Sequence, residues 1–460
     1  MGRFIAEGVA GALGRPISML SFALQFYDWP INAWSFKYVN LMIHLLNGCL
    51  VFWLLLLLTQ VLSLSYSKRL LLAMVTASIW LLHPLQVTTV LYVVQRMTQL
   101  SVLFTLIGLI SYVQGRYDLA QGKSIKGFIK VSLGIGLGGI LATLSKENGV
   151  LLVFYVLALE TTILQTVTKP PYWRVWFAVF VYLPMTLLSL YFATRFDSLL
   201  QDYVVRDFTM GERLLTEARI LVDYLAKILL LHPTDFCLFQ DDYPISPTLL
   251  VPLTTLFAVI FIIAIFVIGI QQRRTIPLLS LAIFWFFAGH ILESSFVALV
   301  PYFEHRNYLP MLGILFAVVY GGLSLIERIS TIRPLLIVLS VIWLLLFPLL
   351  TYSQTILWAK PLEQAMLWAQ KKPLSRYAQS HLASILIEIN KPEEAEKYYR
   401  QMVKNFPNDT GPYALWLTLA CLYPQQVTLP NAQALIKQFR TAKVDVGAIS
   451  GLRFLIDAYA

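Results

Sequence analysis

The chain has 460 residues, of which 58% are hydrophobic and only 13% charged, with a mean hydropathy of +0.69. Soluble domains are far richer in charge, so a water-soluble fold is excluded and a helical membrane protein is expected. The net charge of +10 is not a nucleic-acid signal here, because membrane proteins keep extra Lys and Arg on the cytoplasmic side. Cys49, Cys237 and Cys421 are scattered without CxxC spacing, which indicates neither a metal site nor a disulfide framework.

The predicted fold is all-α and polytopic. A bilayer core about 30 Å thick needs about 20 apolar residues per helix. Ten segments qualify or nearly so: 39–64, 69–85, 98–115, 127–144, 148–166, 173–194, 248–271, 276–295, 309–326 and 334–352. Basic residues fall in every second loop: Lys68/Arg69, Arg116/Lys123/Lys126, Lys169/Arg174, Arg273/Arg274 and Arg328/Arg333. Those loops are assigned to the cytoplasm. The alternate ones, 86–97, 145–147, 195–247 and 296–308, are assigned outside. The tail 353–460 and the segment 1–38 are then external too. An upstream span, and the start of that first loop, are expected to be absent from the chain as given.

Within the tail, residues 376–409 read as a helical hairpin broken at Asn390-Lys391-Pro392, with Glu393 and Glu394 opening the second helix. Leu382, Ala383, Ala395, Tyr398, Met402 and Pro407 sit where a tetratricopeptide unit places packing and stop residues. One such unit cannot bury its own face. Segments 355–371 and 411–423 are expected to flank it.

Ionisable residues at span ends cost energy unless engaged, so the external face is where chemistry is expected. Four clusters stand there. Gly14-Arg15-Pro16-Ile17-Ser18 precedes an interfacial run through Trp29 and Trp34 to Phe36 and Tyr38; its plain reading is an arginine reaching for headgroups. His83-Pro84-Leu85-Gln86 and Gln95-Arg96-Met97 bracket an apolar run too short to span, which suits a helix lying in the interface. Ser145-Lys146-Glu147-Asn148 fills a tight turn, where the pair either satisfies itself or meets an anionic headgroup. Glu304-His305-Arg306-Asn307 stands at a span entrance; Arg306 offers a planar fork for phosphate and Glu304 either orients it or acts as a base. The long loop adds Asp241-Asp242-Tyr243-Pro244, a plain turn on one reading and a metal- or sugar-binding pair on the other.

GRPISMLSFAL, FKYVNLMIHLLN, WLLHPLQVTTVLYVVQRMTQLSVLF, ATLSKENGVLL, DDYP and FEHRNYLPMLG occur in that order before the helical tail. Together they resemble the tetratricopeptide-bearing GT-C glycosyltransferases over about residues 12–410. Relatives include the transmembrane-and-tetratricopeptide O-mannosyltransferases and bacterial envelope and pilin glycosyltransferases. The resemblance implies inverting, nucleotide-independent transfer of a sugar from a polyprenyl-phosphate donor to a protein or glycan acceptor outside the membrane. It assigns Arg15, His83, Arg96, Lys146, His305 and Arg306 to the donor phosphate, and Asp241, Asp242 and Tyr243 to the sugar or acceptor loop. The catalytic carboxylate of that group lies in the first external loop, inside which this chain opens. Glu7 is the candidate base, followed by Glu147 and Glu304.

No cofactor is called for, and no ligand motif indicates a divalent metal. Membrane lipids and a protein partner on the tail are expected, nucleic acid is not. The implied location is a bacterial inner membrane with the tail in the periplasm. Rival readings are an O-antigen ligase or polymerase and a non-catalytic membrane-anchored scaffold. A transporter fits less well, because the charges lie at the surface rather than mid-span.

Overall fold

The computed structural model describes residues 11, 13–28, 32–231, 236–441 and 453, and is helical throughout, with no β-strand among them. Pro16–Ala23 (α1) leads into Ala33–Leu58 (α2), Tyr66–Leu82 (α3) and the short Gln86–Leu91 (α4). Arg96–Ala120 (α5), Ser124–Ser145 (α6), Leu152–Thr161 (α7) and Trp173–Thr194 (α8) follow. Phe196–Gln201 (α9) and Met210–Leu229 (α10) precede Thr254–Gln272 (α11), Pro277–His290 (α12), Met311–Arg328 (α13) and Arg333–Trp358 (α14). The tail holds Pro361–Lys371 (α15), Arg376–Glu388 (α16), Pro392–Asn405 (α17), Gly411–Leu422 (α18) and Ala432–Thr441 (α19).

Seven helices are long and apolar enough to cross a membrane, among them α2, α5, α6 and α14. The helical membrane class therefore stands, while three of the ten expected segments fall short of span length. α3 has 17 residues because His83, placed before Pro84, is driven into extended backbone and stops it. α12 has 14 residues, opening on Pro277 and ending at His290. The segment 148–166 is divided into the 3-10 turns Glu147–Leu151 and Ile163–Thr166 on either side of α7.

α5 and α6 pack along their length through glycines. A Cβ on Gly108 would lie 2.5 Å from the Gly134 carbonyl oxygen, so only glycine permits this approach. The turn after α6 is tighter still: a Cβ on Gly149 would stand 2.1 Å from the Ala142 backbone. That closeness folds Lys146 and Glu147 back onto the end of α6. At the other end of α5, Arg116 is buried against Glu160 at 2.6 Å, with its guanidinium 4.2 Å from the Trp173 ring centroid. A residue expected to mark a loop is thus part of the packed interior.

One apolar core runs from α2 to α14, which adds Phe347. A second joins α15 to α18, with Leu382, Ala383, Ala395 and Met402 buried as expected and Tyr399 rather than Tyr398 completing the stripe. Residues 395, 399 and 402 share one helical face, which explains the exchange. The hairpin turns at Asn390 in the left-handed region (φ 60), and the Lys391 N–H closes on the Leu386 carbonyl at 2.8 Å. Cys237 and Leu238 from the loop after α10 pack on Trp368 and Ala378, so this loop and the tail share a small third core.

Candidate functional site

α10 carries the residues that organise the site. Its start is fixed by a reciprocal cap: the Glu212 N–H donates to Thr209 Oγ1 while the Glu212 carboxylate accepts from the Thr209 N–H at 2.7 Å. Arg213 then pairs with Glu217 one turn on, at 2.8 Å. Its guanidinium also donates to the carbonyls of Glu293 (2.8 Å), Ser295 (2.9 Å) and Leu299. This folds the 291–301 backbone onto α10. Further along the helix, the Tyr224 hydroxyl donates to the Phe303 carbonyl at 2.9 Å and accepts the Phe303 N–H at 3.0 Å. Tyr302 donates its hydroxyl proton to Asp223.

The 3-10 turn Glu304–Asn307 is held by these bonds, and all four of its side chains are buried. Arg306 donates to the carbonyls of Pro301 and Val300, the latter at 2.6 Å, and stands 3.7 Å from Glu217 and 3.9 Å from Glu293. Glu293 is bound more closely by Lys146, at 2.7 Å, and Lys146 also donates to Thr98 Oγ1 at 3.2 Å. Three buried cations, Lys146, Arg213 and Arg306, thus face two buried carboxylates, Glu217 and Glu293. Among these five described side chains one positive charge is in excess.

Burial works against the charged form of Glu293, but Lys146 and Arg306 outweigh it and hold the carboxyl well below its usual range. Glu217 goes the other way. Its burial dominates, and it is pushed up to about 7 despite Arg306 and Arg213. Burial, reinforced by the Lys146 charge, lowers His305 well below the ordinary histidine value, so its imidazole is neutral. His305 Nδ1 has no hydrogen-bond partner among the described residues.

A cavity of about 30 Å³ lies against this network, lined by Thr98, Lys146, Asn148, His305, Arg306 and Tyr308 among others. That volume holds a water molecule, not a sugar. Between the lining residues Lys146 and Asn148, Glu147 is gripped by Arg15 at 2.8 Å, and Arg15 also donates to the Met97 sulfur at 3.2 Å; Arg15 and Glu147 are both partly exposed.

The sequence-predicted residues therefore divide. Lys146, His305 and Arg306 line one cavity, and Arg15 with Glu147 form a pair beside it. Arg96 stands elsewhere. It donates to Asn40 Oδ1 (2.8 Å), the Phe36 carbonyl (3.0 Å) and the Ser21 carbonyl (3.1 Å), with Phe22 and Phe36 against its guanidinium. Its three acceptors tie α1, α2 and α5 together. His83 donates from Nε2 to the Ile228 carbonyl at 3.1 Å while Nδ1 accepts the Leu85 N–H, joining α3 to the end of α10. Glu304 turns to Lys227 at 3.4 Å rather than to Arg306, and burial raises its carboxyl to about 7.

Asp241 and Asp242 hold the tail. Asp241 accepts from the Ser375 hydroxyl and the Tyr377 N–H at the start of α16, and Asp242 pairs with Lys372 at 3.1 Å. Burial raises the Asp241 carboxyl, with Ser375 opposing. Tyr243 packs on Tyr302 at 5.4 Å, under the guanidinium of Arg219. Glu7 and Trp29 lie outside the described residues. No group of three or more metal-ligating side chains exists among the residues described.

Sequence reasoning missed Arg213, Glu217, Asp223, Tyr224, Lys227 and Glu293. A signal was present: Arg213, Glu217, Tyr224 and Lys227 recur at helical spacing in 210–229, a polar stripe on an otherwise amphipathic helix. Comparison of the chain with protein-family models, curated proteins and solved structures finds no match.

Proposed function

We propose that the chain is a membrane glycosyltransferase taking its sugar from a polyprenyl-phosphate donor. The observation that carries this reading is the surplus positive charge of the Lys146–Glu293–Arg306–Glu217–Arg213 network, buried beside a cavity between span ends. A phosphate supplies the missing negative charge. Arg306 and Lys146 stabilise it as it leaves, and neutral His305 contributes a hydrogen bond. Glu147 takes the proton of the acceptor hydroxyl; the acceptor oxygen bonds to the anomeric carbon, and the bond from that carbon to the phosphate oxygen breaks with its electrons staying on phosphate. The donor enters when the Arg15–Glu147 pair parts, because the closed cavity is water-sized. We read α3, 148–166 and α12 as short crossings that bring the total to about ten. The tail is read as a tetratricopeptide-like domain on the same side as the site, in the periplasm of a bacterial envelope, where it meets a protein acceptor or partner.

The test is transfer of labelled sugar from a polyprenyl-phosphate donor in reconstituted vesicles. Lys146→Gln and Arg306→Lys are each expected to slow it about a hundredfold. Glu147→Gln abolishes it with little change in melting temperature, since a partly exposed pair is worth about 1 kcal/mol or less. Wild-type rates in all three variants overturn the reading.

A non-catalytic scaffold is the second reading. It is favoured by one observation: Lys146, Arg213 and Arg306 each already meet a carboxylate of the chain. It predicts no transfer by the wild type and retention of a tail-bound envelope protein.

A further inference from the structure

A second, larger cavity lies away from the charged network. It is a groove of about 580 Å³, within the range of small-molecule sites, with α2 and α14 as walls and α3 and α4 behind. Leu41, Leu45, Leu81, Val87 and Val90 make its surface apolar. At one end stand Trp34 and Tyr38, stacked at 5.2 Å, and Lys37, whose Nζ lies 6.0 Å from the Trp358 ring centroid.

Three features identify what fits. The N-terminal end of α2 and the C-terminal ends of α3 and α14 share one end of the bundle, since Lys37 meets Trp358 and the Thr351 hydroxyl donates to the Leu82 carbonyl at 2.6 Å. From Trp34 to Leu45 is about 16 Å at about 1.5 Å per residue. That is the depth of one leaflet of a core about 30 Å thick. Aromatic rings flanking a cation at the mouth match the headgroup level. Lys37 pairs with no carboxylate among the described residues, and no Asp or Glu lines the groove to receive an amine headgroup.

We propose that this groove holds one anionic phospholipid, a chain between α2 and α14 and its phosphate on Lys37. A polyprenyl chain, longer than one leaflet, fits this depth poorly. The site is independent of the glycosyltransferase reading, because lipid retention is measured without any transfer.

The experiment uses the full chain, equilibrated with equimolar phosphatidylglycerol and phosphatidylcholine vesicles, extracted in mild detergent and weighed by native mass spectrometry. One phosphatidylglycerol per chain is expected to remain bound. Lys37→Gln lowers its retention about fivefold, the effect of one lysine near an anionic surface. Leu45→Trp, which fills the groove and leaves Lys37 in place, lowers it as well, while Lys126→Gln on exposed α6 surface does not. Equal retention of both lipids, or retention unchanged in both groove variants, overturns the proposal. So does stoichiometric displacement by an equal amount of a polyprenyl phosphate, which would make the groove a donor-chain site.

Discussion

Glu293 holds Lys146 at 2.7 Å and stands 3.9 Å from Arg306, and both partners are buried with it. Removing Lys146 leaves the buried Glu293 with only the more distant Arg306 to offset its desolvation. Lys146→Met is therefore expected to cost about 3 kcal/mol or more, and Lys146→Met combined with Glu293→Gln to recover most of it. Thermal unfolding in detergent measures both. Glu304 and Glu217 give a separate signature. Each is raised on folding from an ordinary 4.5 to about 7, so the folded chain holds protons that the unfolded chain releases earlier. Their contribution is complete below about pH 4.5 and disappears as pH rises through about 7. Glu293 acts oppositely: its depressed carboxyl contributes in full above about pH 4.5 and loses that contribution only below it, as acid protonates the group. The melting temperature is expected to fall by several degrees from pH 5 to 7.5, and Glu304→Gln to flatten the slope. A flat wild-type profile would refute the assignment. Lys146, His305 and Arg306 were legible in the sequence because charge in a tight turn or at a span end is anomalous by itself. Glu293 and Glu217 were not, because what makes them part of the network is proximity between positions 76 apart in the chain.

At the scale of elements, the site exists because α10 and the 291–310 loop are laced together by Arg213 and Tyr224, and because the Gly149 turn returns Lys146 to them. Gly149→Val places side-chain atoms on the Ala142 backbone and is expected to abolish accumulation of folded protein, which an immunoblot of membranes reads directly. The His83 and Arg96 motifs were recognisable as special, yet their polar atoms are spent on backbone carbonyls that fix helix ends. A motif shows that a residue is constrained. Whether a ligand or a carbonyl constrains it depends on which strand of chain folds next to it, and here Ile228, Ser21 and Phe36 supply the acceptors. The boundaries of α3 were readable from His83-Pro84, whereas the division of 148–166 was hidden under a continuous apolar run.

The molecule as a whole combines an apolar bundle with a polar helical tail, and hydropathy alone separates them. A reporter fused after residue 360 is expected to score on the same side as one inserted in the loop 202–208, because Arg376 of the tail meets Asp207 at 3.2 Å. Opposite scores would contradict this arrangement. The charge pattern of the loops carries an expectation of sidedness but does not reveal that Arg116 is buried in an ion pair, since a charge count cannot distinguish a solvated arginine from one enclosed by Glu160 and Trp173.

The joint made by Asp241 and Asp242 has a mechanical consequence. It couples the tail to the loop that leaves α10, and α10 carries Glu217, Tyr224 and Lys227. A load applied to α16 is transmitted through a short tether to the helix that grips Arg306 and Glu304. Cargo pulling on the tail would thus strain the charged network, and Asp241→Asn with Asp242→Asn would soften that linkage, leaving the apolar seat of Trp368 on Cys237 and Leu238 and the Arg376–Asp207 pair to carry the load.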